Sequence, residues 1–261
     1  MASRTKQKEE ARARRLAEER ARVERERRQR RLRMLGGVVL GAVAVVAVLI
    51  AVSSGGSSNG LQTGTRLAQT TASVESLLSG IPQSGSRLGN PKAPVTMTYY
   101  GDLECPICQE FTLLSFPQLV ANDVRSGKVQ VVYRAFKTAT PDLSTFEAQQ
   151  SAALAAGQQQ HFWDFTELFY HEQGQEDSGY VNDSYLSALA RQVPGLNVAQ
   201  WQSVRTNPSL VNQVVSDEQS GISVGVKGTP TLIFQGPKGA IASPSGVPTY
   251  AGLEQLISRV A

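Results

Sequence analysis

Cys105 and Cys108, in the stretch GDLECPICQE, are the only two cysteines of the chain and have only Pro106 and Ile107 between them. Paired thiols at that spacing suit three chemistries: a metal clip, a structural staple or a redox centre. A zinc site needs about four ligands, usually a second CxxC or a spaced pair of histidines. The only histidines are His161 and His171, ten residues apart in a helical pattern and not at i,i+4 spacing, so no metal site is expected. His161 reads as a surface or partly buried helix residue, and the stripe Phe162, Phe165, Leu168, Phe169 as core. A bridge closing so short a loop constrains the unfolded chain little. Redox exchange is the chemistry that remains.

The elements around the pair favour that chemistry. VTMTYYGD (95–102) is β-branched and aromatic and follows a proline, which predicts a buried strand ending just before CPIC. Beyond it Phe111, Leu114, Phe116, Leu119 and Val120 fall at near-helical spacing, so the cysteines sit at a helix start. There Cys105 faces unsatisfied N–H groups and the positive end of the helix dipole, which stabilise a thiolate. Cys108, one turn further in, is placed to attack a mixed disulfide formed at Cys105. Pro106 suits the first helical turn because its missing N–H has no partner there. KVQVVYRAF (128–136) predicts a second strand, parallel to the first through a crossover. From about 144 to 220 the pattern is helical, with four or five helices. GTPTLIFQG (228–236) then predicts a strand, GAIASPSGVPT an irregular fourth strand and YAGLEQLISRVA a last helix. The result is a split α/β domain. Gly228-Thr229-Pro230-Thr231 is either a plain turn before its strand or, joined to CPIC, a proline facing the thiols through a cis Thr229–Pro230 bond. The second arrangement would expose the Thr229 backbone to an extended substrate.

With 41% hydrophobic and 18% charged residues, the composition is ordinary for a soluble protein, but the charge is unevenly spread. Residues 1–34 carry 14 Lys/Arg against six Glu, a local net of +8, and the other residues carry −4. The basic arm, rich in Arg, Glu and Ala with opposite charges three or four apart, predicts a solvated helix. It has too few apolar positions for a coiled-coil seam, and no nucleic-acid partner is expected. LGGVVLGAVAVVAVLIAV (35–52) has no charged side chain and at ~1.5 Å per residue is long enough to cross a hydrocarbon core. Arg28, Arg30, Arg31 and Arg33 flank its N-terminal edge, which predicts a cytoplasmic N-terminus and an extracytoplasmic body. The rival is a signal peptide cleaved near Ala51-Val52-Ser53. It fits less well, because the apolar run exceeds the usual ~7–15 residues of a signal core. Residues 53–66, SSGGSSNGLQTGTR, have the composition of a flexible tether. Residues 67–261 form the folded body, opened by a helical pattern that closes at Gly80.

Three separated segments, GNPKAPVTMTYYGDLECPICQEF, EAQQSAALAAGQQQHFWDFTELF and GVKGTPTLIF, together resemble the DsbA-like thiol–disulfide oxidoreductases, over residues 89–260. The membrane-tethered arrangement is similar to that of actinobacterial members. The resemblance implies a thioredoxin-like fold with a helical insertion capping the redox site, here preceded by a single transmembrane helix. It implies Cys105 as surface nucleophile, Cys108 as its resolving partner and Pro230 as the cis-proline beside them, with Pro106, Ile107 and Thr229 as substrate-binding positions. It further implies no cofactor beyond a redox-active Cys105–Cys108 disulfide, cysteine-containing exported proteins as clients, a membrane oxidase that recycles the protein, and a monomer. Two residues depart from the pattern. The family's best-known oxidants carry His where Ile107 stands, and Ile107 supplies no cation to a thiolate. Glu104, if it lies close, opposes the thiolate. Direction therefore stays open between oxidase and reductase or isomerase, with a non-catalytic peptide-binding scaffold as the alternative from another class.

Overall fold

The computed structural model describes residues 65–261. The basic arm, the apolar segment 35–52 with its expected membrane helix, and the tether up to residue 64 lie outside the described residues. Among the described residues no helix is long and apolar enough to cross a membrane.

Helix α1 (Thr65–Leu78) opens this part of the chain and closes before Gly80, whose φ of +73° carries no Cβ penalty. The tether expected over 53–66 is thus too long by two residues: Thr65 and Arg66 belong to the first turn of α1, which buries Leu67, Val74 and Leu78 along one side. A hairpin follows, β1 (Gln83–Ser84) and β2 (Arg87–Leu88), turned at Gly85 with φ +56°. Strands of two residues show no alternation, so from sequence this stretch reads only as turns.

Strand β3 (Val95–Gly101), helices α2 (Pro106–Leu114) and α3 (Phe116–Leu119), a π-helical turn (Val120–Val124) and strand β4 (Val129–Ala135) come next. Strands β3 and β4 run parallel, from Val95 opposite Val129 to Gly101 opposite Ala135. Five helices are then inserted: α4 (Leu143–Gly157), α5 (Phe162–His171), α6 (Asp183–Ala190), α7 (Val198–Val204) and α8 (Pro208–Ser223). Strands β5 (Thr231–Gly236) and β6 (Gly239–Ala242) and helix α9 (Tyr250–Val260) complete the fold. The sheet order is β1-β2-β4-β3-β5-β6, with every pair but β3–β4 antiparallel. A β-α-β half and a β-β-α half therefore share one mixed sheet, with β3 inside it. The segment expected to be irregular begins as a regular strand, because Gly239–Ala242 pairs with β5.

Local chemistry separates the inserted helices. Asp142, Asn182, Asn197 and Asn207 each accept a first-turn N–H with the side chain, at the starts of α4, α6, α7 and α8, as short polar caps do. Helix α5 is buried from Phe162 to Tyr170, the pattern of a helix enclosed on all sides. Its Trp163 stacks on Phe116 at 5.2 Å between ring centres and meets the edge of Tyr133 at 6.2 Å. The indole N–H of Trp163 donates to the Ser86 carbonyl. The insertion is thereby fastened to the hairpin, to β4 and to the helices that follow the cysteines.

Candidate active site

The pair sits where β3 ends. Gly101 closes the strand against the Tyr133 ring, and a Cβ there would lie 2.7 Å from Tyr133 Cε2. The chain then turns: Cys105 N–H donates to the Asp102 carbonyl at 3.1 Å, and Cys105 caps α2 in extended conformation with Pro106 in the first turn. Gln173, just past α5, donates to the Leu103 carbonyl at 2.6 Å and the Cys105 carbonyl at 3.2 Å. Gln109 of α2 donates back to the Tyr170 carbonyl at 2.8 Å. The insertion thus braces the backbone that carries the cysteines.

Both thiols are free, and their surroundings differ. Cys105 keeps 5% of its surface exposed and Cys108 none. The expected surface nucleophile is therefore nearly covered, because Thr229 lies over it: Cys105 Sγ donates to the Thr229 carbonyl at 3.5 Å. The Cys105 thiol is drawn down to about 6, chiefly by hydrogen bonding from Cys108. Burial opposes this, and the Thr229 side chain and the N–H groups of Cys108 and Ile107 add to it. The Cys108 thiol is pushed well up, first by burial and then by Cys105. It faces a buried phenol cluster of Tyr99, Tyr133 and Tyr170, each raised by burial first and in part by the nearby sulfur. Two thiols a helical turn apart are thus divided into one easily ionised and one protonated.

The Thr229–Pro230 peptide is cis, and Pro230 is buried. Pro106 and Ile107 lie outside the covered pair, with Ile107 42% exposed, and Thr229 is part-exposed. His161 lies at the start of α5, its Nδ1 3.3 Å from Asp164 Oδ2, and His171 ends the same helix. Among the described residues no group of three or more His, Cys, Asp or Glu side chains is placed to hold a metal ion.

The largest polar element of the site went unread in the sequence. Asp102 is fully buried. Its Oδ2 accepts the N–H groups of Thr138, Ala139 and Thr140, and its Oδ1 accepts the Glu104 N–H and the Thr140 hydroxyl. Gln149 of α4 donates to the Thr140 hydroxyl oxygen. An Asp directly after a strand was the only available signal, since its partners form no motif.

Glu104 is 2% exposed, and its Oε2 finds no hydrogen-bond partner. Burial first, and then the neighbouring Asp102, Asp142 and Asp177, raise its carboxyl to about 7, with the Thr140 side chain acting in the opposite sense. Its charge is therefore largely suppressed below neutrality, which weakens its opposition to the thiolate. The native protein keeps a proton here that the unfolded chain releases between about pH 4.5 and 7, so stability falls as pH rises through that window. Glu104→Gln should remove this fall. In urea unfolding of the oxidised protein, where Cys105 does not titrate, the variant should exceed the parent by on the order of 1 kcal/mol at about pH 8, with the gap closing toward about pH 4. A gap independent of pH would show that the Glu104 carboxyl is not perturbed.

The thioredoxin family model matches residues 83–257. The chain is 25% identical over 150 residues to the probable disulfide bond formation protein D of Bacillus cereus, covering 57% of this chain and 69% of that one. It is 32% identical over 163 residues to the Na(+)/H(+) antiporter NhaA 1 of Mycolicibacterium gilvum, covering 60% of this chain but only 24% of the antiporter. The crystal structure of oxidised BdbD from Bacillus subtilis shares the fold, with a TM-score of 0.56 at 20% identity, over 70% of this chain and 96% of that one. With the matched segment holding the dithiol, the Thr229–Pro230 turn and the whole mixed sheet, the chain belongs to the thioredoxin family as a DsbA-like thiol–disulfide oxidoreductase.

Proposed function

We propose that the protein is an exported, membrane-anchored oxidase that introduces disulfide bonds into cysteine-containing polypeptides. The observation that carries this reading is the division of the pair, with Cys105 drawn down to about 6 and Cys108 pushed up. A thiolate stabilised in the reduced protein favours reduction of its disulfide, and a low-pKa sulfur leaves readily. Backbone N–H groups, the Cys108 thiol and the Thr229 side chain provide this stabilisation, so the absence of a cation at Ile107 does not argue against an oxidase. The name disulfide bond formation protein D, borne by relatives from Bacillus, supports the same direction.

In the reaction a client thiolate attacks Cys105 Sγ of the Cys105–Cys108 disulfide. The S–S bond breaks, a mixed disulfide forms, and Cys108 leaves as a thiolate that takes up a proton. A second client thiolate attacks the client sulfur of that mixed disulfide and expels the Cys105 thiolate. The client has lost two electrons and the protein has gained them, so a membrane oxidase must remove them before the next cycle. In this arrangement residues 1–34 stay in the cytoplasm, 35–52 cross the membrane, and the tether holds a monomeric catalytic body on the outer side. The Arg-rich flank and the uncharged run of 35–52 support that topology.

The test is the equilibrium reduction potential of the full-length protein against glutathione, paired with oxidation of a reduced polypeptide. An oxidase should be poised well above thioredoxin's value of about −270 mV and should oxidise the polypeptide. A value near about −270 mV without oxidation would assign the protein to reduction instead.

A further inference from the structure

Three segments converge on the dithiol: the turn after β3 (102–105), the loop 137–141 that follows β4, and the loop 228–230 before β5. Asp102 ties the second to the first. Three successive N–H groups, of Thr138, Ala139 and Thr140, point at its Oδ2 from 2.9, 2.8 and 3.0 Å, so the loop is curled around a buried carboxylate. That curl leaves the Thr138 side chain on the outside, where its Oγ1 is hydrogen-bonded to Thr229 Oγ1.

A hydroxyl has one proton to give and two lone pairs to offer. If Thr229 gave its proton to Thr138, it would have none for the sulfur. If Thr138 donates, the Thr229 O–H is free to donate to Cys105. The sulfur needs this donor in only one state. As a thiol, Cys105 donates to the Thr229 carbonyl; as a thiolate it can only accept. We propose that Thr138, held in place by Asp102, is a positioning residue for thiol exchange: its hydroxyl donates to Thr229 and thereby directs the Thr229 O–H onto the Cys105 thiolate. Donors in series polarise one another, so the effect reaches the sulfur from a residue that does not touch it. The Thr229 side chain is among the groups that draw the Cys105 thiol down. The inference rests on the reading of Cys105 as the exchanging thiol.

The exposed position of Thr138 allows substitution without disturbing the core. Reduced full-length protein is titrated by the ultraviolet absorbance of its thiolate, in the parent and in Thr138→Val, Thr138→Ser and Cys105→Ala. Thr138→Val, which keeps the shape and loses the hydroxyl, should raise the Cys105 pKa by about half a unit, roughly threefold in acidity. It should also weaken oxidation of glutathione by a similar factor, and Thr138→Ser should behave as the parent. A Thr138→Val protein that titrates like the parent, or a Thr138→Ser protein displaced as far as Thr138→Val, overturns the role of Thr138 alone. A titration step near pH 6 that survives in Cys105→Ala overturns the reading of Cys105 and the role of Thr138 with it.

Discussion

Reduced Cys108→Ala protein, mixed with a disulfide-containing polypeptide, should accumulate a covalent adduct through Cys105 that persists on a non-reducing gel. The Cys105 thiolate attacks one sulfur of the polypeptide, the other sulfur leaves, and nothing remains one helical turn away to resolve the mixed disulfide. Cys105→Ala should give no such adduct. With the Cys105 thiol drawn down to about 6 and the Cys108 thiol pushed up by burial first, the thiolate near neutrality sits on Cys105. Cys108 also has no exposed surface, so Cys105→Ala should lose exchange by at least about 10²-fold. Cys108→Ala removes the largest support of the Cys105 thiolate, so trapping should be slower at about pH 6 than at about pH 8, where the thiolate forms regardless. Equal trapping by both variants would show that the two sulfurs are not divided as their surroundings indicate.

Asp102→Ala should be the most destabilising change at the site. It strands the N–H groups of Glu104, Thr138, Ala139 and Thr140 and the Thr140 hydroxyl, five donors that now share one carboxylate. Each unsatisfied buried polar group costs about 1–3 kcal/mol. Partial rescue by water brings the expected total to roughly 3–5 kcal/mol, a fall of about 2 M in the urea midpoint. Asp102→Asn keeps one acceptor oxygen but turns an amide toward N–H donors, and should fall between parent and alanine variant. A loss below about 1 kcal/mol for Asp102→Ala would mean that water serves the loop as well as the carboxylate does.

The parts of the site legible in the sequence are those with local signatures. CPIC follows an apolar β-branched run, GTPT precedes another, and a thiol at the start of a helix has known chemistry wherever the fold places it. The inserted helices were legible through their helical pattern. Asp102 was not, because four of its five donors lie 36 to 38 positions away in a short loop, KTATP, that has no pattern of its own. Thr138 was hidden for the same reason, since only the folded sheet brings it beside Thr229. The weight given to Glu104 followed from its place next to Cys105 in the chain. In the fold its carboxyl is buried, and that burial together with Asp102, Asp142 and Asp177 raises it.

The two-residue hairpin has a consequence for the proposed action on unfinished chains. Sheet margins are where foreign strands add on and aggregation begins. Here β2 pairs with β4 only at Arg87 and Leu88, and beyond it β1 offers two residues; at the opposite margin β6 offers four, starting at a glycine. Among the described residues neither margin provides a long template for an added strand. A client that arrives with bare backbone has little to dock on there, and its encounter with this protein is left to its cysteines.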